Sequence, residues 1–108
     1  MQRLSFRVLI PEYLQVRPTA VFWSAGETIS RRALTVRVPE GVPAAVSLRV
    51  ASKHVRLKLT LGEVRKGRVY ELWVEPRRLD ERFREEIVLE ARFAGVGSRR
   101  GTAYVYVK

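Results

Sequence analysis

The chain has 108 residues, 21 basic and 11 acidic side chains, a net charge of +10 and a pI near 11. A hydrophobic fraction of 46% against 30% charged excludes a disordered polyelectrolyte and fits one domain, residues 1–108, with its own core. The absence of cysteine excludes disulfides, thiolate metal sites and cysteine nucleophiles.

Period-2 alternation runs through almost the whole chain, as strands buried on one face require. Leu4, Phe6, Val8 and Ile10 alternate with Arg3, Ser5 and Arg7. These arginines interrupt the apolar stretch that a signal peptide needs. The expectation is a cytoplasmic chain, or a piece of a longer one; the compartment stays undetermined. Residues 17–27, RPTAVFWSAGE, set a short apolar strand between a proline and a Gly-Glu turn, with Trp23 expected between sheets. Leu34, Val36 and Val38 form the next run, followed by Val46, Leu48 and Val50, then by Val55, Leu57, Leu59 and Leu61. Tyr70, Leu72 and Val74 form another, which leaves Trp73 on the opposite face. Residues 79–86, LDERFREE, break the alternation and predict a single helical turn capped by Asp80. Ile87, Leu89, Ala91 and Phe93 resume it, and Ala103, Val105 and Val107 end it.

Turn residues separate these runs at Pro39-Glu40-Gly41, Lys66-Gly67 and 95–101. Seven or eight strands spaced ten to twelve residues apart point to an all-β sandwich or barrel. No helix long enough for a parallel crossover lies between them. The chain lacks asparagine, and its arginines number 17 against four lysines. That bias fits either a thermophilic protein or a GC-rich genome.

The order of these segments resembles Hydin-type and major-sperm-protein-like immunoglobulin modules, especially those of uncharacterised bacterial envelope proteins. The likeness rests on Pro18 with Phe22 and Trp23, Gly67 with Tyr70, and Val74 with Pro76, and it spans residues 10–108. It implies an immunoglobulin-like antiparallel β-sandwich of seven or eight strands with Greek-key connections. It also implies a non-enzymatic module of an exported or envelope protein. Many such relatives carry a cysteine motif in a neighbouring domain, which this chain lacks.

No enzyme motif is present. His54 is the only histidine, beside Lys53 at a strand start, and reads as an ordinary surface or strand-end residue. A general base needs an orienting partner, and the sequence names none. The acids show neither calcium-loop spacing nor a catalytic pair, and no phosphate loop occurs. The sequence calls for no cofactor and no metal.

Two binding readings remain. The first is a structural or protein-interaction module that spaces, docks or assembles, with Trp73, Tyr104 and Tyr106 as contacts. The first and last strands would offer edges for pairing with a partner or a second copy, although pairing within the domain is favoured. The second is a small basic domain that binds nucleic acid or another polyanion through Arg65, Lys66, Arg68, Arg99 and Arg100. Charge is concentrated in residues 1–70, with 13 basic and four acidic side chains, against eight and seven in 71–108. Single-strand binding wants aromatics among the cations. Trp73 between Glu71 and Glu75 fails that condition; Tyr104 and Tyr106 near Lys108 come closer.

Overall fold

A computed structural model describes residues 13–108. Within them the alternating runs become eight strands: β1 (Gln15–Arg17), β2 (Ala20–Trp23), β3 (Arg32–Arg37), β4 (Ala45–Val50), β5 (Leu57–Arg65), β6 (Val69–Pro76), β7 (Phe83–Phe93) and β8 (Gly97–Val107). They form two four-stranded sheets packed face to face, a β-sandwich. The first sheet runs β1-β3-β6-β5 and the second β2-β8-β7-β4. All neighbours are antiparallel except β2 and β8. The chain changes sheets between β1 and β2, where the Arg17–Pro18 peptide is cis. It crosses again at β2–β3, β3–β4, β4–β5 and β6–β7, while β5–β6 and β7–β8 are hairpins.

One face of each strand makes the core. Leu34 and Val36 from β3 and Leu72 and Val74 from β6 meet Ile87, Leu89, Ala103 and Val105 from the other sheet. All of these side chains are fully buried. Trp23 closes one end of this core, its indole N–H donating to the Ser30 carbonyl at 3.0 Å. That buried N–H has a partner, so the ring contributes apolar area without an unsatisfied donor. The sheets are also stitched at the opposite end. The β5–β6 turn places Gly67 at φ +67°, and its carbonyl accepts from the Ala45 N–H of β4 at 2.9 Å.

One expectation needs correction. Residues 79–86 form no helical turn: Phe83 already starts β7, and the chain before it is a bent link. The reason lies in the partner strand. β8 pairs with β7 from Val107 opposite Phe83 to Gly97 opposite Phe93, so the ladder satisfies backbone groups that a lone helical turn would leave open. Asp80 binds the Arg78 guanidinium instead of capping a helix. The last strand pairs within the domain, the favoured alternative: β8 is hydrogen-bonded on both sides, to β2 and β7, and offers no edge. The edges among the described residues are β1, β2, β4 and β5. Lys58, Arg65 and Arg49 charge the longer two and so discourage edge pairing. The run Leu4 to Ile10 lies outside the described residues.

Candidate functional site

β2 is four residues long and points Val21 and Trp23 into the core. Alternation therefore forces Phe22 outward, and it is 45% exposed. The parallel pairing of β2 with β8 puts Phe22 beside Tyr106 and Ala20 beside Tyr104. On the other side of β8, β7 sets Arg84 beside Tyr106 and Glu86 beside Tyr104. The outcome is an aromatic shelf on the outer face of the second sheet. Phe22 and Tyr106 stack with centroids 5.1 Å apart and planes 13° apart. Tyr104 continues the shelf 6.4 Å from Tyr106, tilted by 31°.

Cations border the shelf. The Lys108 ammonium lies 4.7 Å from the Phe22 centroid. The Arg84 guanidinium lies 5.9 and 5.8 Å from the Tyr104 and Tyr106 rings. Each such contact at an exposed site is worth about 0.5–1 kcal/mol. Arg49, Arg92 and Arg100 stand further along the same face, with Glu86 and Glu90 as its acids. Glu90 is engaged by Arg49 at 3.1 Å and Arg100 at 3.4 Å. Neither Arg84 nor Lys108 has a carboxylate partner among the described residues.

The structure thus joins Tyr104 and Tyr106 in one site but separates them from Trp73. Trp73 sits on the outer face of the first sheet, between Ala33 and Thr60 of the flanking strands. The indole is half-buried there, with the Arg31 guanidinium 4.6 Å from the ring centroid.

The basic candidates fare differently. Arg65, Lys66 and Arg68 lie at the same end of the sandwich as the β7–β8 hairpin, because Ala45 bonds to Gly67 and faces Phe93. Most of them are engaged. Arg65 pairs with Glu40 at 3.1 Å. Arg68 donates to the carbonyls of Pro39 and Val42, at 2.7 and 2.6 Å, and its side chain is only 19% exposed. Arg99 lies 5.0 Å from the Tyr13 ring, and Arg100 pairs with Glu90. Lys66 alone of the five stands exposed without such a partner among the described residues.

His54 is not a surface residue: its side chain is 4% exposed. Its Nδ1 lies 3.2 Å from Glu85 Oε1 and its Nε2 lies 2.5 Å from Ser52 Oγ. With the proton on Nδ1, Nδ1–H donates to Glu85 and the Ser52 hydroxyl donates to Nε2. This is the connectivity of a Ser–His–acid triad. The Ser52 oxygen, however, accepts the Val88 N–H of β7 at 2.9 Å, which draws it against the sheet. The neighbouring cleft, between Val55–Arg56 and the Arg77–Phe83 segment, is lined by none of the three. The geometry is that of a polar tether that fastens the β4–β5 link to β7. Glu85 Oε2 is buried without a hydrogen bond.

Three groups elsewhere titrate away from their ordinary values, Arg78 being raised by its hydrogen bond to Asp80. Burial first, and then the Glu63 carboxylate, raise the Tyr70 phenol. The hydrogen bond from Arg78 lowers the Asp80 carboxyl. Among the described residues no cluster of three or more His, Asp or Glu could hold a metal, and no helix is long and apolar enough to cross a membrane.

No family model, curated protein or solved structure matches the chain.

Proposed function

We propose that this chain is a non-enzymatic, immunoglobulin-like module that docks a partner on the outer face of the β2–β8–β7 sheet. The strand order supports the immunoglobulin-like part. Taken as strands A, B, E and D, the sheet β1-β3-β6-β5 has the constant-type order, and β4, β7 and β8 occupy positions C, F and G. The Greek-key linkage belongs to the same reading. A binding role rather than catalysis is supported by His54, which is buried in a tether whose hydroxyl is already committed to Val88.

The observation that carries the proposal is the aromatic shelf. Phe22, exposed, and Tyr104 and Tyr106, half-buried, stand together on the outer face of adjacent strands, where polar side chains would serve a solvated face equally well. Comparative capture tests it. Wild type and Phe22→Ser/Tyr104→Ser/Tyr106→Ser, both verified as folded by circular dichroism, are immobilised and exposed to the same lysate. The expected result is a bound component recovered by wild type and by Trp73→Ser but absent from the triple variant. Identical recovery by all three overturns the proposal.

A further inference from the structure

We infer that the shelf of Phe22, Tyr104 and Tyr106, bordered by Arg84 and Lys108, is a binding site for single-stranded nucleic acid. The inference rests on the docking reading above and names its partner. Three observations carry it.

The first is shape. Phe22 and Tyr106 are nearly parallel neighbours on β2 and β8, and Tyr104 extends them along β8. They form an aromatic cluster on the outer face of a sheet, and sheet modules use such rings to stack unpaired bases. A duplex hides its base faces and so offers these rings nothing to stack on.

The second is charge. Arg84 and Lys108 stand against the shelf without carboxylate partners among the described residues, as does Arg92 further along the same face, while Arg49 and Arg100 on that face are paired with Glu90. Free cations beside surface aromatic rings are the combination that tracks a phosphate backbone while bases stack. A wholly acidic peptide satisfies the cations but leaves the rings without a flat partner.

The third is exchange. Arg84 and Lys108 now cover the ring faces at 4.7–5.9 Å. Both are exposed. Base stacking on an aromatic ring exceeds a cation contact at an exposed site, so bases displace the cations, which then swing to the phosphates. Glu86, exposed beside Tyr104, is the one opposing charge on this part of the face among the described residues.

The test is fluorescence anisotropy with a fluorescein-labelled 15-mer of deoxythymidine at about 50 mM salt. Tyr106→Ala and Phe22→Ala should each weaken binding about tenfold, one ring's stacking per base. Arg84→Gln/Lys108→Gln should reduce the slope of log affinity against log salt by about 1.4, which is about 0.7 for each of two phosphates no longer neutralised. These two side chains are exposed, so this variant keeps its fold even where a ring substitution does not. Glu86→Gln should tighten binding, and Trp73→Ala on the opposite face should leave it unchanged.

Inorganic polyphosphate of matched charge is the competitor that separates stacking from simple polyanion attraction. Displacement at least tenfold weaker than by unlabelled oligonucleotide is expected. Equal displacement, an unchanged salt slope in the double variant, or no binding at 50 mM salt overturns the inference. If the oligonucleotide fails while a nuclease-resistant protein is captured in a shelf-dependent way, the docking reading stands and its partner is a protein. If neither depends on the shelf, both readings fall.

Discussion

Replacing Arg68 by alanine should destabilise the fold far more than replacing its neighbours in the same basic cluster. Its Nη1 donates to two loop carbonyls, Pro39 at 2.7 Å and Val42 at 2.6 Å, and its own carbonyl accepts the Val38 N–H at 2.7 Å. The side chain is thus the pin that holds the β3–β4 link against the β5–β6 hairpin. A hydrogen bond from a charged donor contributes about 1.5–3 kcal/mol net. Both carbonyls sit in a surface link and regain some water in the variant, so the combined loss is about 2–3 kcal/mol. The Glu40 carboxylate adds little, being 3.9 Å away and 69% exposed. For a domain of this size about 4–8 °C of Tm accompanies each kcal/mol, which predicts a fall of roughly 10–20 °C. Arg65→Ala removes only an exposed ion pair and should cost less than about 1 kcal/mol. Thermal melts with urea titrations, compared at equal m-value, measure the difference. Equal melting temperatures for Arg68→Ala and Arg65→Ala would show that the two carbonyls are not what Arg68 is for.

Gly67→Ala should lower stability by roughly 2–3 kcal/mol, because the turn needs φ +67° and an added Cβ would stand 2.8 Å from the Ala45 carbonyl oxygen; chemical denaturation measures it. Tyr70→Phe should alter the alkaline limb of stability. The folded phenol titrates above its unfolded value of 10.0, so its contribution is complete below about pH 10 and is lost as pH rises towards the folded value. The Tm of wild type should therefore fall relative to Tyr70→Phe above about pH 10, and parallel curves would contradict this. Ser52→Ala leaves the Val88 N–H and His54 Nε2 short of a partner, for a loss of about 1–3 kcal/mol. The same variant should hydrolyse an activated ester no more slowly than wild type; a Ser52-dependent rate would make the tether a nucleophile.

Most strands are legible in the sequence because their cause is local. The alternation of Leu72 and Val74 with Trp73 already assigns inside and outside, and the core follows from it. Charge density misleads at 79–86, where the ladder to β8 overrides a weak helical preference. His54 eludes sequence reading for a related reason: Glu85, its partner, is 31 residues away in the chain. The aromatic shelf is half visible. Tyr104 and Tyr106 are two apart on one strand and have to share a face, but Phe22 joins them only through the parallel β2–β8 register. Arg84 joins only because β7 begins at Phe83, four residues earlier than a helical turn over 79–86 allows. In the basic clusters at 65–68 and 99–100, sequence shows the charges but not the carbonyls and carboxylates that engage most of them.

That last point decides where the net charge of +10 acts. Long-range attraction depends on the total, but a bound polyanion needs cations that gain by leaving their present partners. Arg68 would forfeit two short hydrogen bonds within the fold, and Arg100 would abandon a carboxylate it shares with Arg49. Arg84 and Lys108 would give up only contacts to ring faces that an incoming base can cover in their place. Arg31 over Trp73 and Arg99 over Tyr13 repeat the pairing of a cation with a ring singly, whereas Arg84 and Lys108 border three neighbouring rings. If the shelf binds a polyanion as inferred, neutralising Arg84 and Lys108 should weaken binding more than neutralising Arg65 and Lys66, although both pairs remove the same formal charge.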